Sequence, residues 1–239
     1  MNTLPTSLIP DNDPQRLRSL HQYQILNTTP EPIFDEYVAL AAQLFNLPIS
    51  LISLVDEQQV FFKSNVGLPD LERLDRADSL CSAAILQNQV LTYTDLSREG
   101  CDLVNPFVAQ AAGLRFYAGA ALHMPDGENI GSLCVIGREA RTIAPEEETL
   151  LAELAGLVSM TMALRWGYLH QGQVEAWQAK QHELTDLLHD SAAFARYLTM
   201  RTGTISASAR DLHSVRQRLQ ELRDVLTAAL AEQSPAPGR

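Results

Sequence analysis

Residues 115–137 read RFYAGAALHMPDGENIGSLCVIG, two strand-forming runs on either side of Pro125-Asp126-Gly127-Glu128. Asp-Gly between apolar runs is a strong short-range hairpin signal, because the central residues of a two-residue turn need positive φ. A turn at Asp126-Gly127 predicts that Leu122 faces Gly131, Ala120 faces Leu133 and Ala118 faces Val135, directly opposed residues sharing a sheet face. Phe116, Ala118, Ala120, Leu122, Leu133 and Val135 then form one wholly apolar face. Tyr117, Gly119, Ala121, His123, Ser132, Cys134 and Ile136 form the other, mostly apolar but with Tyr, His, Ser and Cys among them. Both faces look covered, which suits a central hairpin. The first set predicts a packed layer of helices and the second a partly polar cavity.

Upstream, residues 1–12 are polar and proline-interrupted and read as a flexible tail. Asp13-Pro14 opens a helix, with Asp as N-cap and Pro at the first helical position. Thr29-Pro30 opens a second, in which Phe34, Tyr37, Val38, Ala41, Leu44 and Phe45 recur at helical spacing until Pro48 ends it. Strands are expected over 49–55, 60–64 and 90–94, with 67–78 a charged, irregular loop. Ser79 caps a short helix over 80–87, and 97–113 forms a lid just before the hairpin. Ala144-Pro145 and three following glutamates start another helix, acidic residues suiting its positive end.

No strand pattern follows. Leu184, Ser191, Leu198, Ile205, Leu212, Leu219 and Leu226 fall seven apart, and Leu187, Phe194, Arg201, Ser208, Val215, Leu222 and Ala229 lie three beyond each. This heptad seam predicts a parallel homodimer. A lone helix would leave the stripe wet, although burying each such side chain is worth about 1.5–3 kcal/mol. Thr202-Gly203-Thr204 offers a place to turn into a helical hairpin. The register crosses it unbroken, so one straight helix is preferred, at the glycine cost of about 1 kcal/mol. Residues 167–233 are thus a coiled-coil or helical-hairpin dimerisation segment, and 234–239 a flexible tail.

The chain has 239 residues, 46% of them hydrophobic, enough for a real core. Its formal net charge of −11 argues against nucleic acid and against anionic membrane surfaces as partners. No apolar run approaches the roughly 20 residues that span a bilayer, and the N-terminus lacks the basic start and apolar core of a signal peptide. Three widely spaced cysteines give neither a disulfide framework nor a zinc pattern, so a reducing cytoplasm is expected.

The order helix, helix, strand, strand, loop-helix, strand, lid, hairpin, helix predicts an α+β fold: an antiparallel sheet with helices segregated to one face. Over roughly 13–166 the sequence resembles the GAF domain family, in a bacterial subgroup common in two-component signalling. The resemblance is carried, in order, by Tyr23-Gln24-Ile25-Leu26, Phe34-Asp35, Val55-Asp56-Glu57, Phe62-Lys63-Ser64, Ser79-Leu80-Cys81, Ala84-Ile85, Asn105-Pro106, 115–119 and 131–136. It implies a sheet of about six strands, the first and last helices on one face and a small-molecule pocket on the other. Family ligands range over cyclic nucleotides, haem, bilins and small metabolites, so cofactor and ligand stay open. Three positions depart from the subgroup: Ala83 where a histidine is usual, Phe61 where a tryptophan is, and Gly137 where an aspartate is.

The expected ligand-binding residues are Arg76, Cys81, Tyr117, Ser132 and Cys134, the last four around one cavity and Arg76 near its mouth. Arg76 and Arg115 each offer a planar guanidinium for an anion, or an ion pair with one of the many carboxylates. Cys81 and Cys134 are either redox or covalent-ligand sites, or simply small buried apolar residues, the usual fate of free cysteine. No catalytic residue and no metal ligand is assigned. The function expected is a non-enzymatic sensory module that binds a small ligand or partner and signals to a downstream protein through the dimeric helices. Alternatives are a histidine-kinase-like phosphotransfer fragment using His182 or His189, a thiol-dependent free-methionine sulfoxide reductase, and a ligand-free structural dimer.

Overall fold

The structure is a computed structural model that describes residues 5–68, 70–99, 104–105, 109, 111–202 and 209–233. Its centre is a six-stranded antiparallel sheet of β1 (Ile49–Val55), β2 (Gln59–Val66), β3 (Arg73–Asp75), β4 (Leu91–Tyr93), β5 (Phe116–His123) and β6 (Asn129–Gly137), ordered β3-β2-β1-β6-β5-β4. The α+β expectation therefore holds, with β3 an additional edge strand inside a segment read as irregular. Every residue of β1 is buried, as a strand covered on both faces requires.

The central hairpin keeps the expected register over most of its length, with Ala118 opposite Val135 and Ala120 opposite Leu133. The turn itself differs. Gly127 N–H donates to Met124 O (2.9 Å) and Met124 N–H to Glu128 O (2.9 Å), so the loop is the three residues Pro125-Asp126-Gly127, with Gly127 at φ +92°. This is a tight turn closed by a glycine bulge, and proline suits its second position. The extra loop residue offsets the pairing by one, so His123 faces Asn129. A bulge then gives Ile130 and Gly131 to Leu122 alone and restores the register from Ala121 onward.

Both face assignments follow from that register. Phe116, Ala118, Ala120, Leu122, Leu133 and Val135 belong to the large apolar core under the helices. Tyr117, Cys134 and Ile136 belong to a second apolar cluster on the opposite face.

The helices are α1 (Asp13–Gln22), α2 (Pro32–Phe45), α3 (Leu80–Ala84), α4 (Pro145–His170), α5 (Val174–Thr202) and α6 (Ala209–Gln233). α2 starts at Pro32 rather than Pro30, with proline still in the first turn. Residues 5–12 are not a loose tail: Leu8 is wholly buried and its carbonyl accepts from Arg76 Nη2 at 2.9 Å.

After α4 the chain reverses. Gly172, at φ +71°, donates to Leu169 O (3.0 Å) and Gln173 N–H to Tyr168 O (2.9 Å), the two bonds of a glycine-closed helix end. α5 then packs on α2, and α6 on α4 and α5. The preferred single straight helix is thus corrected: α5 stops at Thr202, α6 starts at Ala209, and Gln171 Nε2 reaches Gln233 Oε1 at 2.8 Å. Gly203 and Ile205 lie outside the described residues. Leu184, Leu198, Leu212, Leu219 and Leu226 are all buried in the same core as the sheet's helix face. In α5 the seam runs through Leu188 and Ala195, wholly buried, rather than through the half-buried Leu187 and Phe194. The stripe expected to pair two chains is covered within one. Among the described residues no helix is long and apolar enough to cross a membrane.

Candidate functional site

The sheet face opposite the helices carries a cavity of about 210 Å³. Its floor is Leu51, Tyr117 and Ile136 from β1, β5 and β6, with Phe62 from β2; α3 supplies Leu80 and Cys81, and Asp78 and Ser79 precede it. Leu68, Leu71 and Leu74 close one side and Leu114 another. The walls are almost entirely apolar. Ser79 fixes the start of α3 by accepting from Cys81 N–H at 3.3 Å. Asn65 holds the leucine segment by donating to the carbonyls of Leu68 and of Leu71, and by accepting from Leu68 N–H. Asn105 Nδ2 donates to Asp78 Oδ1 at 3.0 Å, tying the segment after β4 to the cavity rim.

Beneath Cys81 lies a small polar cluster. The sulfurs of Cys81 and Cys134 are 3.9 Å apart, and Tyr117 Oη lies 3.8 Å from Cys81 Sγ. Ser53 and Ser132, opposite each other on β1 and β6, share a 2.9 Å hydroxyl hydrogen bond. The Cys134 hydrogen bond draws the Cys81 pKa down to about 6 against the opposing effect of burial, and the Ser53, Ser132 and Ser79 hydroxyls add to it. The same bond to Cys81, together with burial, pushes Cys134 well up, and burial does the same to Tyr117. The two thiols are coupled, and the first proton to leave the pair does so more easily than the second.

Of the five residues expected to meet a ligand, Cys81 and Tyr117 line the cavity. Cys134 and Ser132 sit in the buried layer behind Cys81 and are wholly buried. Arg76 is corrected: it is not at a cavity mouth. Its guanidinium donates to both carboxylate oxygens of Asp13 (3.0 Å each) and to Leu8 O, and is 1% exposed. It fastens α1 and the N-terminal segment to the sheet edge. Arg115 likewise forms a two-pronged pair with Asp95, at 2.7 Å on each oxygen, which holds that carboxyl well below the usual range. Of the expected lid, residues 100–103, 106–108 and 110, Cys101 included, lie outside the described residues. His182 and His189 are exposed; His189 faces Glu36 of α2 at 3.4 Å.

Two features escaped the sequence reading. Leu68, Leu71 and Leu74, in a segment read as charged, recur every third residue, a signal that was available. The second is Glu31, which accepts from Lys63 Nζ (2.8 Å), Arg165 Nε (2.8 and 3.0 Å) and Trp177 Nε1 (3.2 Å). It joins β2, α4 and α5 at one carboxylate, and burial holds the Lys63 pKa below its ordinary value. Nothing local in the sequence links these four residues.

A family model for the GAF domain matches residues 29–162. The chain belongs to the GAF domain family. The GAF match supports a sensory or regulatory module, so the signalling part of the expectation stands. A cyclic di-GMP phosphodiesterase of Pseudomonas aeruginosa is 36% identical over 156 residues, covering 65% of this chain and 26% of that protein. The chain thus spans about a quarter of that relative's length. This relative overturns the expectation of a non-enzymatic protein, since a GAF region this similar occurs in a protein named for catalysis. Similar solved structures are more distant. The blue-light absorbing form of the Thermosynechococcus elongatus PixJ GAF domain is 18% identical, with TM-score 0.49, over 67% of this chain and 94% of that one. The GAF domain of an Acinetobacter phosphoenolpyruvate-protein phosphotransferase is 17% identical, with TM-score 0.47, over 62% and 93%. Free methionine-R-sulfoxide reductase from Neisseria meningitidis is 16% identical, with TM-score 0.47, over 66% and 88%.

Proposed function

We propose that this GAF chain is the regulatory module of a cyclic di-GMP signalling enzyme, and that its cavity takes a small, mainly apolar molecule. The carrying observation is the placement of that cavity. Its floor and the helix core are alternate residues of the same strands, so Tyr117 faces the cavity and Ala118 faces the helices. A molecule that wedges α3 from the floor thereby acts on strands that α4 packs against. Binding shifts the helices only if affinity differs between two arrangements of them.

Size selects the ligand class. An apolar cavity of about 150 Å³ takes benzene, so 210 Å³ suits a one- or two-ring compound. It lies below the roughly 300–1,000 Å³ of pockets for larger ligands. The free thiols Cys81 and Cys134 fit a reducing compartment such as the cytoplasm. Pairing of two copies, as a route for output, falls to the outer surface of α5, where Tyr197 is 59% and Met200 90% exposed.

Indole is the test compound. Calorimetric titration is expected to show saturable binding and the melting temperature to rise with indole concentration. Leu114→Trp, which fills the cavity from its half-buried side, is expected to abolish both effects in a folded protein. No heat and no rise with indole, phenol or benzyl alcohol would end the small-apolar-ligand reading.

A further inference from the structure

Cys81 on α3 and Cys134 on β6 are 53 positions apart in the chain, yet their sulfurs are 3.9 Å apart. Both are free and buried. A disulfide needs sulfurs at about 2.05 Å, so an approach of about 2 Å would join them. The two sides are not equally able to move. β6 is clamped between β1 and β5, whereas α3 is a five-residue helix between irregular segments. Only Cys81 of the pair touches the cavity, so a small apolar molecule in that cavity meets Cys81 first. The hydrogen bonds from Cys134 and the surrounding serines favour its thiolate, the form that attacks.

We propose that Cys81 is a hydroperoxide-reactive thiol and Cys134 its resolving partner, making a reversible disulfide that ties α3 to the central strand. The oxidant class is a small apolar organic hydroperoxide that enters the cavity. The Cys81 thiolate attacks the terminal peroxide oxygen, the O–O bond breaks, and the departing alkoxide takes the proton given up by the thiol and leaves as the alcohol. Sulfur is oxidised by two electrons to the sulfenic acid, and the peroxide is reduced. The Cys134 sulfur then attacks the sulfenic sulfur, the S–O bond breaks, and the hydroxide leaves with the Cys134 proton as water. The step does not require the cavity to have any other ligand, and a resident ligand would compete with the hydroperoxide for the same space.

The probe is tert-butyl hydroperoxide on the full, reduced chain, followed by denaturing alkylation and peptide mass mapping. The expected product is a Cys81–Cys134 cross-link lacking two hydrogens, with Cys101 alkylated and the cross-link lost in dithiothreitol. Cys134→Ser is expected to leave a sulfenic acid on Cys81 that dimedone traps; the wild-type map decides the case if that variant does not fold. Cys81 and Cys134 both found alkylated after peroxide, or a cross-link through Cys101 instead, would overturn the proposal. Faster cross-linking by hydrogen peroxide than by tert-butyl hydroperoxide at equal concentration would remove the apolar route and the oxidant class with it.

Discussion

Asp13 sits where burial and charge oppose each other. Burial would raise its pKa, but the hydrogen bonds from Arg76 and Arg16 outweigh it and hold the carboxyl below its ordinary 3.8. Well above pH 3.8 Asp13 is charged both folded and unfolded, and its pairing with Arg76 and with Arg16, whose Nε donates to Asp13 Oδ1 at 2.7 Å, contributes in full. As the pH falls below 3.8 the unfolded chain takes up the proton first, so stability drains away toward the lower folded value. Urea titrations from pH 5 to 2.5 are expected to show this acid slope in the wild type and a smaller one in Asp13→Asn. Asp13→Ala strands two buried guanidinium groups and is expected to cost about 3–5 kcal/mol at neutral pH. Gly131 is constrained differently. A Cβ there would overlap the Ser53 carbonyl, with backbone rather than a flexible side chain in the way. Gly131→Ala is therefore expected to lower stability by at least the 1–3 kcal/mol typical of overpacking, and an unchanged melting temperature would contradict the β1–β6 packing. At this scale the sequence showed which residues share a face, because strand alternation is local. It did not show that Arg76 was already committed, because its partner lies 63 positions away on α1.

Among elements, the hairpin was legible in its register but not in its turn. Alternation fixes which residues oppose one another along most of the strands. It cannot tell a two-residue loop from a three-residue loop followed by a bulge, since both give the same pairing beyond Ala121. Deleting Pro125 would leave Asp126-Gly127 as a two-residue turn between the same Met124 and Glu128, so the bulge at Ile130-Gly131 is still needed to keep Ala118 opposite Val135 and both are expected to persist; amide exchange on β5 is the measurement. The helical hairpin is legible as an alternative but not as the preferred form, for a related reason. A heptad series records only which positions are apolar, and a chain that folds back keeps its apolar positions. Spin labels at Glu183 and Glu232 of one chain test the reversal. With α6 ending beside the start of α5, they are expected within about 20 Å, against roughly 70 Å for a continuous helix at 1.5 Å per residue.

For the whole molecule, the boundary expected near residue 166 does not divide the core. The apolar cluster under the sheet runs without interruption from Leu133 and Leu154 to Leu188 and Leu226. A chain ending at His170 would uncover the outer faces of α2 and α4, and is expected to melt lower than the full chain and to scatter light on heating. Retention of the full melting temperature would show that α5 and α6 are accessories. Glu31 binds the same parts by charge, so Glu31→Gln is expected to loosen α5 from α2 before the sheet melts, visible as a separate early loss of Trp177 burial. The out-and-back path of α5 and α6 has a mechanical consequence. Gln233 returns to within hydrogen-bonding reach of Gln171 and Gln173, so the chain leaves α6 almost where α4 delivered it. Whatever follows Gln233 is therefore mounted at the fulcrum rather than at the tip of a rod. A small tilt of α4 reaches it as a turn of similar size, with no lever arm to enlarge it.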